Sequence, residues 1–180
     1  MHLTISHTTR YSYDTPVQYA LQKVRLVPQN SAQQQVADWQ VDIAGGIREV
    51  RYSDQYGNIV ELVSTPPGAT ELTITASGVV DTRDTAGIFG PASGAAPLWH
   101  YLRPTPLTEP GEGIRALAKG MASTGQMLDA LHDLSARIAG TVAYGSGTTY
   151  AATPAEEALA GKRGVCQDHA QIFVAAARVA

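Results

Sequence analysis

From Met1 to about Val80 apolar and polar positions alternate. Leu3, Ile5, His7, Thr9, Tyr11 and Tyr13 share one parity, and the alternation returns at Trp39, Val41 and Ile43 and again at Leu72, Ile74 and Ala76. A period of two predicts half-buried strands, with Trp39 on the inward side. Between them lie Asp14-Thr15-Pro16, Gly45-Gly46, Asp54-Gln55-Tyr56-Gly57-Asn58 and Pro66-Pro67-Gly68, all rich in residues that preset or tolerate turn dihedrals. Short strands separated by frequent turns predict an antiparallel β-sandwich.

The stretch from Thr85 to Pro97 is rich in Gly, Ala, Pro and Ser and reads as a loop, after which the period changes. Ile114, Leu117, Ala118 and Met121 fall at helical spacing behind Pro110, and Met127 or Leu128, Leu131, Leu134 and Ile138 do so between Thr124 and Gly140. Thr153-Pro154-Ala155-Glu156 reads as a capping box with proline at the first helical position, and Gly161 stands where a short helix would stop. A last helix starts at Cys166, and Ile172, Phe173, Val174, Ala175, Ala176 and Ala177 give it apolar residues on every face, which predicts burial all round. Trp99, beside His100, Tyr101 and Leu102, is expected to be sealed between the two regions. The fold class is therefore α+β: a β-sandwich domain over residues 1–88 and a helical domain over residues 89–180.

Composition narrows the partners. A chain of 180 residues with 44% hydrophobic content can bury a core. A formal net charge of -3, with its Lys and Arg scattered, argues against nucleic acid or an anionic membrane as partner. No apolar run reaches the roughly 18 residues of a membrane span, and Met1-His2-Leu3-Thr4-Ile5-Ser6 lacks the regions of a secretory signal, so a cytoplasmic location is expected. The single cysteine, Cys166, excludes an intrachain disulfide and leaves one thiol for packing or chemistry.

Gly164-Val165-Cys166-Gln167-Asp168-His169 places that thiol where a glycine turn meets a helix. Unpaired N–H groups and the positive end of the helix dipole favour a thiolate there, and the same groups can hold the oxyanion formed when a thiolate attacks a carbonyl. The competing reading is a small apolar residue packed at a helix start. Cys166, Asp168 and His169 also suggest a metal, but ligands on adjacent helical positions do not converge on one ion, and no metal or other cofactor is expected. Asp168 suits the first turn of a helix, and His169 suits a cleft or a packing contact.

Gly164-Val165-Cys166-Gln167-Asp168-His169-Ala170 before an apolar helix resembles the nucleophile motif of the transglutaminase-like superfamily. Tyr144, Gly145, Thr148 and the run Thr153-Pro154-Ala155-Glu156-Glu157-Ala158-Leu159 resemble the segment that precedes this cysteine in bacterial members. Thr9-Arg10-Tyr11-Ser12-Tyr13 and Asp54-Gln55-Tyr56-Gly57-Asn58 are similar to their amino-terminal β-domain. The resemblance covers nearly the whole chain. It implies a papain-like core with Cys166 as nucleophile, and later strands that deliver a histidine base and an orienting aspartate. Tyr144 and Gln167 become candidates to line the cleft or hold the oxyanion, with simple packing the alternative for Tyr144. Gln171 stands where many bacterial members carry histidine.

His169 is the only histidine after Cys166, and it lies on the same helix. The chain ends at Ala180 within an apolar pattern that has no stop signal, so a catalytic domain truncated after its nucleophile is expected, inactive as it stands. Self-association through exposed helical faces, or partial disorder after about Gly145, would follow. Two functions compete. One is a cysteine protease or amidase that passes an acyl group from a peptide or protein amide, through a Cys166 thioester, to water in preference to an amine. The other is a β-sandwich binding or scaffolding module whose attached domain has lost catalysis.

Overall fold

The alternating segments form β1 (His2–Ser12), β2 (Ala20–Val24), β3 (Gln34–Ala44), β4 (Ile47–Ser53), β5 (Ile59–Thr65) and β6 (Glu71–Thr82). The computed structural model describes residues 1–90, 94–121 and 126–180. Its strands make two three-stranded antiparallel sheets, ordered β1-β6-β3 and β2-β5-β4. Val24 and Val63 from one sheet and Val41, Leu72, Ile74 and Ala76 from the other form one apolar cluster, with Trp39 and Ile43 against it. Each buried Val, Leu or Ile contributes roughly 1.5–3 kcal/mol, so this shared layer holds the sandwich together. Arg48 of β4 also reaches across it to donate to the Val41 carbonyl at 2.6 Å.

The inward parity expected for β6 and β3 is the one observed. On β1 it is weaker: Ile5 and Thr9 are half-buried while Leu3 and Tyr11 are exposed. The four expected turns all fall between strands. Gly45 has a φ of +83°, and a Cβ there would lie 2.5 Å from the Glu71 carbonyl oxygen, so both dihedral and space call for glycine. Gly78, inside β6, pairs with Trp39 and leaves room for its ring, whose Nε1 donates to the Leu26 carbonyl at 2.8 Å.

The chain divides into two compact units, Met1–Ala96 and Pro97–Ala180, so the division falls later in the glycine-rich stretch than residue 88. Gly94 and Ala96 belong with the sandwich. Gly94 lies against the backbone of Tyr56 and Gly57, and the Ala96 N–H donates to the Gln55 carbonyl at 2.9 Å.

The second unit contains α1 (Leu98–Tyr101), α2 (Glu112–Lys119), α3 (Met127–Thr141), β7 (Ala143–Tyr144), α4 (Ala155–Gly161), β8 (Arg163–Gly164) and α5 (Cys166–Val179). Its core joins Ile114, Leu134, Ile138, Leu159, Ile172, Ala175 and Ala176 from four helices. The start expected for α3 at Thr124 lies outside the described residues. Its inward face runs through Ala130, Leu134 and Ile138, while Met127 and Leu128 are exposed.

Three local expectations are corrected. The capping box at Thr153 does not form: Pro154 is the cap residue, Thr153 Oγ1 accepts the Tyr150 N–H, and the Glu156 carboxylate is engaged by α2 instead. Helix α5 is not buried all round: it packs on α2, α3 and α4 through Ile172, Ala175 and Ala176, and Val174 is exposed. Trp99 is 61% exposed, its ring meeting only the edge of the neighbouring His100 ring among the described aromatic contacts. Among the described residues no helix is long and apolar enough to cross a membrane.

Candidate functional site

The start of α5 is fixed by contacts from far along the chain. Helix α4 ends at Gly161, and Lys162 turns the chain in a left-handed conformation, φ 53°. Residues 163 and 164 then run parallel to β7, with Tyr144 beside Gly164. The Ala143 N–H donates to the Lys162 carbonyl at 2.9 Å and the Gly145 N–H to the Gly164 carbonyl at 2.8 Å. Val165 is extended and caps the helix, and Cys166 is its first residue, with an exposed side chain.

Asp168 organises this turn. Its side chain is almost fully buried, and Oδ2 accepts the Val165 N–H at 2.7 Å and the Thr149 hydroxyl at 2.6 Å. Only half of a capping box exists, because valine has no acceptor to return the bond. The carboxylate fits because residue 164 is glycine: a Cβ there would lie 2.7 Å from Asp168 Oδ2. Asp168 Oδ1 and Gln171 Oε1 are buried without a hydrogen-bond partner.

The neighbouring side chains take separate paths. Gln167 Nε2 donates to the Ala151 carbonyl at 3.1 Å, and Tyr144 is 66% exposed on β7. His169 Nε2 donates to the Val142 carbonyl at 2.8 Å, since a carbonyl oxygen can only accept. The same ring lines a hollow of about 270 Å³ with Ser135, Ile138, Ala139, Ala170 and Phe173. Asp168 and His169 therefore engage different partners, and no group of three metal-ligating side chains exists among the described residues.

The first N–H groups of a helix have no intrahelical acceptor. Val165 N–H is taken by Asp168, and His169 N–H is bonded to the Val165 carbonyl at 3.2 Å. The first turn thus presents an exposed thiol over backbone donors, an arrangement able to attack a carbonyl carbon and hold the oxyanion that results. Sequence reasoning singled out Cys166, Tyr144 and Gln167 but missed Thr149, Val142 and Ala151. Their bonds to α5 span 19, 27 and 16 positions, and nothing local in the sequence marks them.

Comparison with known proteins agrees with this architecture. Residues 3–81 match the bacterial transglutaminase-like N-terminal region, and residues 115–180 match the core described as the transglutaminase-like superfamily. Over these two segments the chain is similar to that superfamily. An uncharacterized protein of Mycobacterium leprae is 27% identical to this chain, over 94% of it and 64% of the relative. Uncharacterized proteins of Mycobacterium bovis and Mycobacterium tuberculosis are 29% identical over 97% of the chain and 60% of theirs. The chain spans less than two thirds of the length of these curated relatives. A solved structure described as a putative cysteine protease from Cytophaga hutchinsonii superposes with a TM-score of 0.74 at 16% identity, covering 99% of this chain and 66% of that one. The likeness shows a shared fold.

Proposed function

We propose that Cys166 is the nucleophile of a cysteine peptidase or amidase of transglutaminase-like type. The observation that carries this reading is the exposed thiol at the first position of α5, above N–H groups with no intrahelical acceptor. The thiolate sulfur bonds to the amide carbonyl carbon, the carbon–nitrogen bond breaks, and the departing amine takes the proton the thiol gave up to a base. Water then attacks the thioester, the carbon–sulfur bond breaks, and the acid leaves with the thiol restored. Hydrolysis is preferred because nothing in the sequence specifies an amine acceptor, and the substrate is a peptide or protein amide.

We take the base to be a histidine other than His169, which lies on the same helix as Cys166 and whose Nε2 donates to the Val142 carbonyl. The superfamily resemblance puts the histidine and its orienting aspartate later than the cysteine, and the curated relatives are longer than this chain. We assign both partners to sequence beyond these 180 residues, so the 180-residue piece alone is inactive.

Alkylation of Cys166 by iodoacetamide across pH 5 to 9 tests this in the 180-residue chain and in the longer protein. Rapid reaction at acidic pH in the longer protein alone supports an assembled cysteine–histidine pair. Slow reaction in both, with the pH dependence of a free thiol, overturns it and leaves the sandwich as a binding module.

A further inference from the structure

We infer that two copies of this chain pair through the free edge of β1, antiparallel and about a two-fold axis at His7, so that their β1-β6-β3 sheets join into one.

Strand β1 is the outermost of its sheet and β2 the outermost of the other, and among the described residues β1 pairs with β6 alone. The Met1 amine donates to the Thr82 carbonyl at 2.5 Å and the Thr82 N–H to the Met1 carbonyl at 2.7 Å, while the Tyr13 N–H donates to the Thr70 carbonyl at 2.9 Å. Hydrogen-bonded and non-hydrogen-bonded pairs alternate along an antiparallel ladder, so the odd residues of β1 turn their N–H and C=O groups toward β6. Those of Thr4, Ser6 and Thr8 point to the open side.

The other edges are guarded. Strands β3 and β4 each carry a register shift, and Arg48 joins them through the Val41 carbonyl, while β2 is only 5 residues long. Strand β1 runs for 11 residues in unbroken register without Pro, Gly, Lys, Asp or Glu. Bulges, shortness, proline and charge are what keep sheet edges from pairing, and of these β1 has only Arg10, near its end.

A second β1 complements this edge. With His7 opposite His7 the strands overlap over their whole length, because residue 7 is the midpoint of 2–12. Thr4, Ser6 and Thr8 then exchange bonds with Arg10, Thr8 and Ser6 of the second copy. Arg10 faces a threonine, so no like charges oppose. On the inner face Leu3 meets Tyr11 of the second copy, and these side chains are 37% and 42% exposed in the single chain. A hollow of about 500 Å³ opens between β1 and β2, lined by Thr9, Tyr11, Val24, Leu26 and Ile74 among others. Leu3 and Ile5 of the second copy stand opposite Tyr11 and Thr9, at the mouth of this hollow, and bring apolar side chains to cover it. The two-fold uses both edges at once and closes the assembly as a dimer.

Sedimentation velocity of the 180-residue chain should show a monomer–dimer equilibrium in the micromolar range, since a contact about one strand wide is small. Ser6→Pro removes a donor that β6 does not use, and should weaken the dimer about tenfold or more while the far-ultraviolet circular dichroism holds. In a Cys166→Ser background with oxidised glutathione, His7→Cys should form a disulfide-linked dimer at least about tenfold faster than Thr9→Cys. Opposed non-hydrogen-bonded residues lie within disulfide reach, whereas Thr9 faces Ile5 in this register. A wild-type chain that stays monomeric up to about 1 mM would overturn the pairing. So would equal crosslinking at positions 7 and 9, or a dimer indifferent to Ser6→Pro, which would send the contact to another surface such as the helical faces.

Discussion

The carboxylate of Glu156 accepts the N–H of Gly113 at 2.7 Å, although the two residues lie 43 positions apart. Gly111 and Ile114 donate to the same carboxylate at 3.0 Å each, so a side chain on α4 caps the amino end of α2. Charge-assisted bonds to otherwise unpaired helix N–H groups are strong, and the negative charge also suits the helix dipole. Glu156→Ala should cost about 2 kcal/mol in denaturant unfolding and Glu156→Gln less, since the amide keeps one acceptor. Equal stability of the alanine variant would remove the capping role.

The sandwich should lose stability in acid through Asp54. Burial raises the pKa of this carboxyl, but hydrogen bonds from Arg25, the Asn58 side chain and the Asn58 and Tyr56 N–H groups outweigh it, holding the folded value at about 2 against an ordinary 3.8. The unfolded chain therefore takes up the proton first. The stabilisation is complete above 3.8 and is lost as pH falls from there toward 2. Asp54→Asn should be less stable than wild type at neutral pH and should lack this part of the acid slope in urea midpoints.

Gly78→Ala should be poorly tolerated. A Cβ there would stand 2.2 Å from the Asp38 carbonyl oxygen and 2.8 Å from the Trp39 Cα, both backbone atoms that cannot swing aside. Strand β6 is central and cannot move away from β3 without disturbing its pairing with β1. A loss of about 3 kcal/mol is expected, with Trp39 fluorescence shifting as its ring is displaced.

Gly164→Ala tests the site by the same reasoning. The new methyl would meet Asp168 at Cβ and Oδ2, both at 2.7 Å. Displacing that side chain removes the Val165 cap and the Thr149 anchor together, at a cost of about 1–3 kcal/mol. Amide exchange should quicken at residues 145–151 more than at the far end of α5. Uniform quickening throughout the helix would count against the Thr149 anchor.

Period-two alternation located β3 and β6 because their inward residues face a core shared by two sheets, and it blurred at β1, which places no residue in that cluster's buried set. The helical spacing found α2 because Ile114 and Ala118 face inward, and the glycine before Cys166 marked the start of α5. What failed were readings that assumed a local partner. Glu156 stands three residues after a threonine, as a capping box requires, yet its carboxylate goes to another helix. The apolar run 172–177 suggested burial on every side, but burial follows the neighbours a helix meets. Cys166 was legible as a helix-start thiol; Thr149 was not, since a threonine in a glycine-rich loop gives no sign of a buried carboxylate 19 positions later.

The parallel pair of β7 and β8 closes a long excursion of chain just before the cysteine. Closing such a loop carries an entropic cost that grows only slowly with length, and here it is met by packing of α4 in the core. A synthetic peptide beginning at Arg163 would hold the thiol and the helix-forming residues but neither Tyr144 nor Thr149, and so would lack the pairing and the clamp. The setting of Cys166 is thus inherited from residues 142–151, and substitutions there should disturb the start of α5 as readily as substitutions beside the thiol.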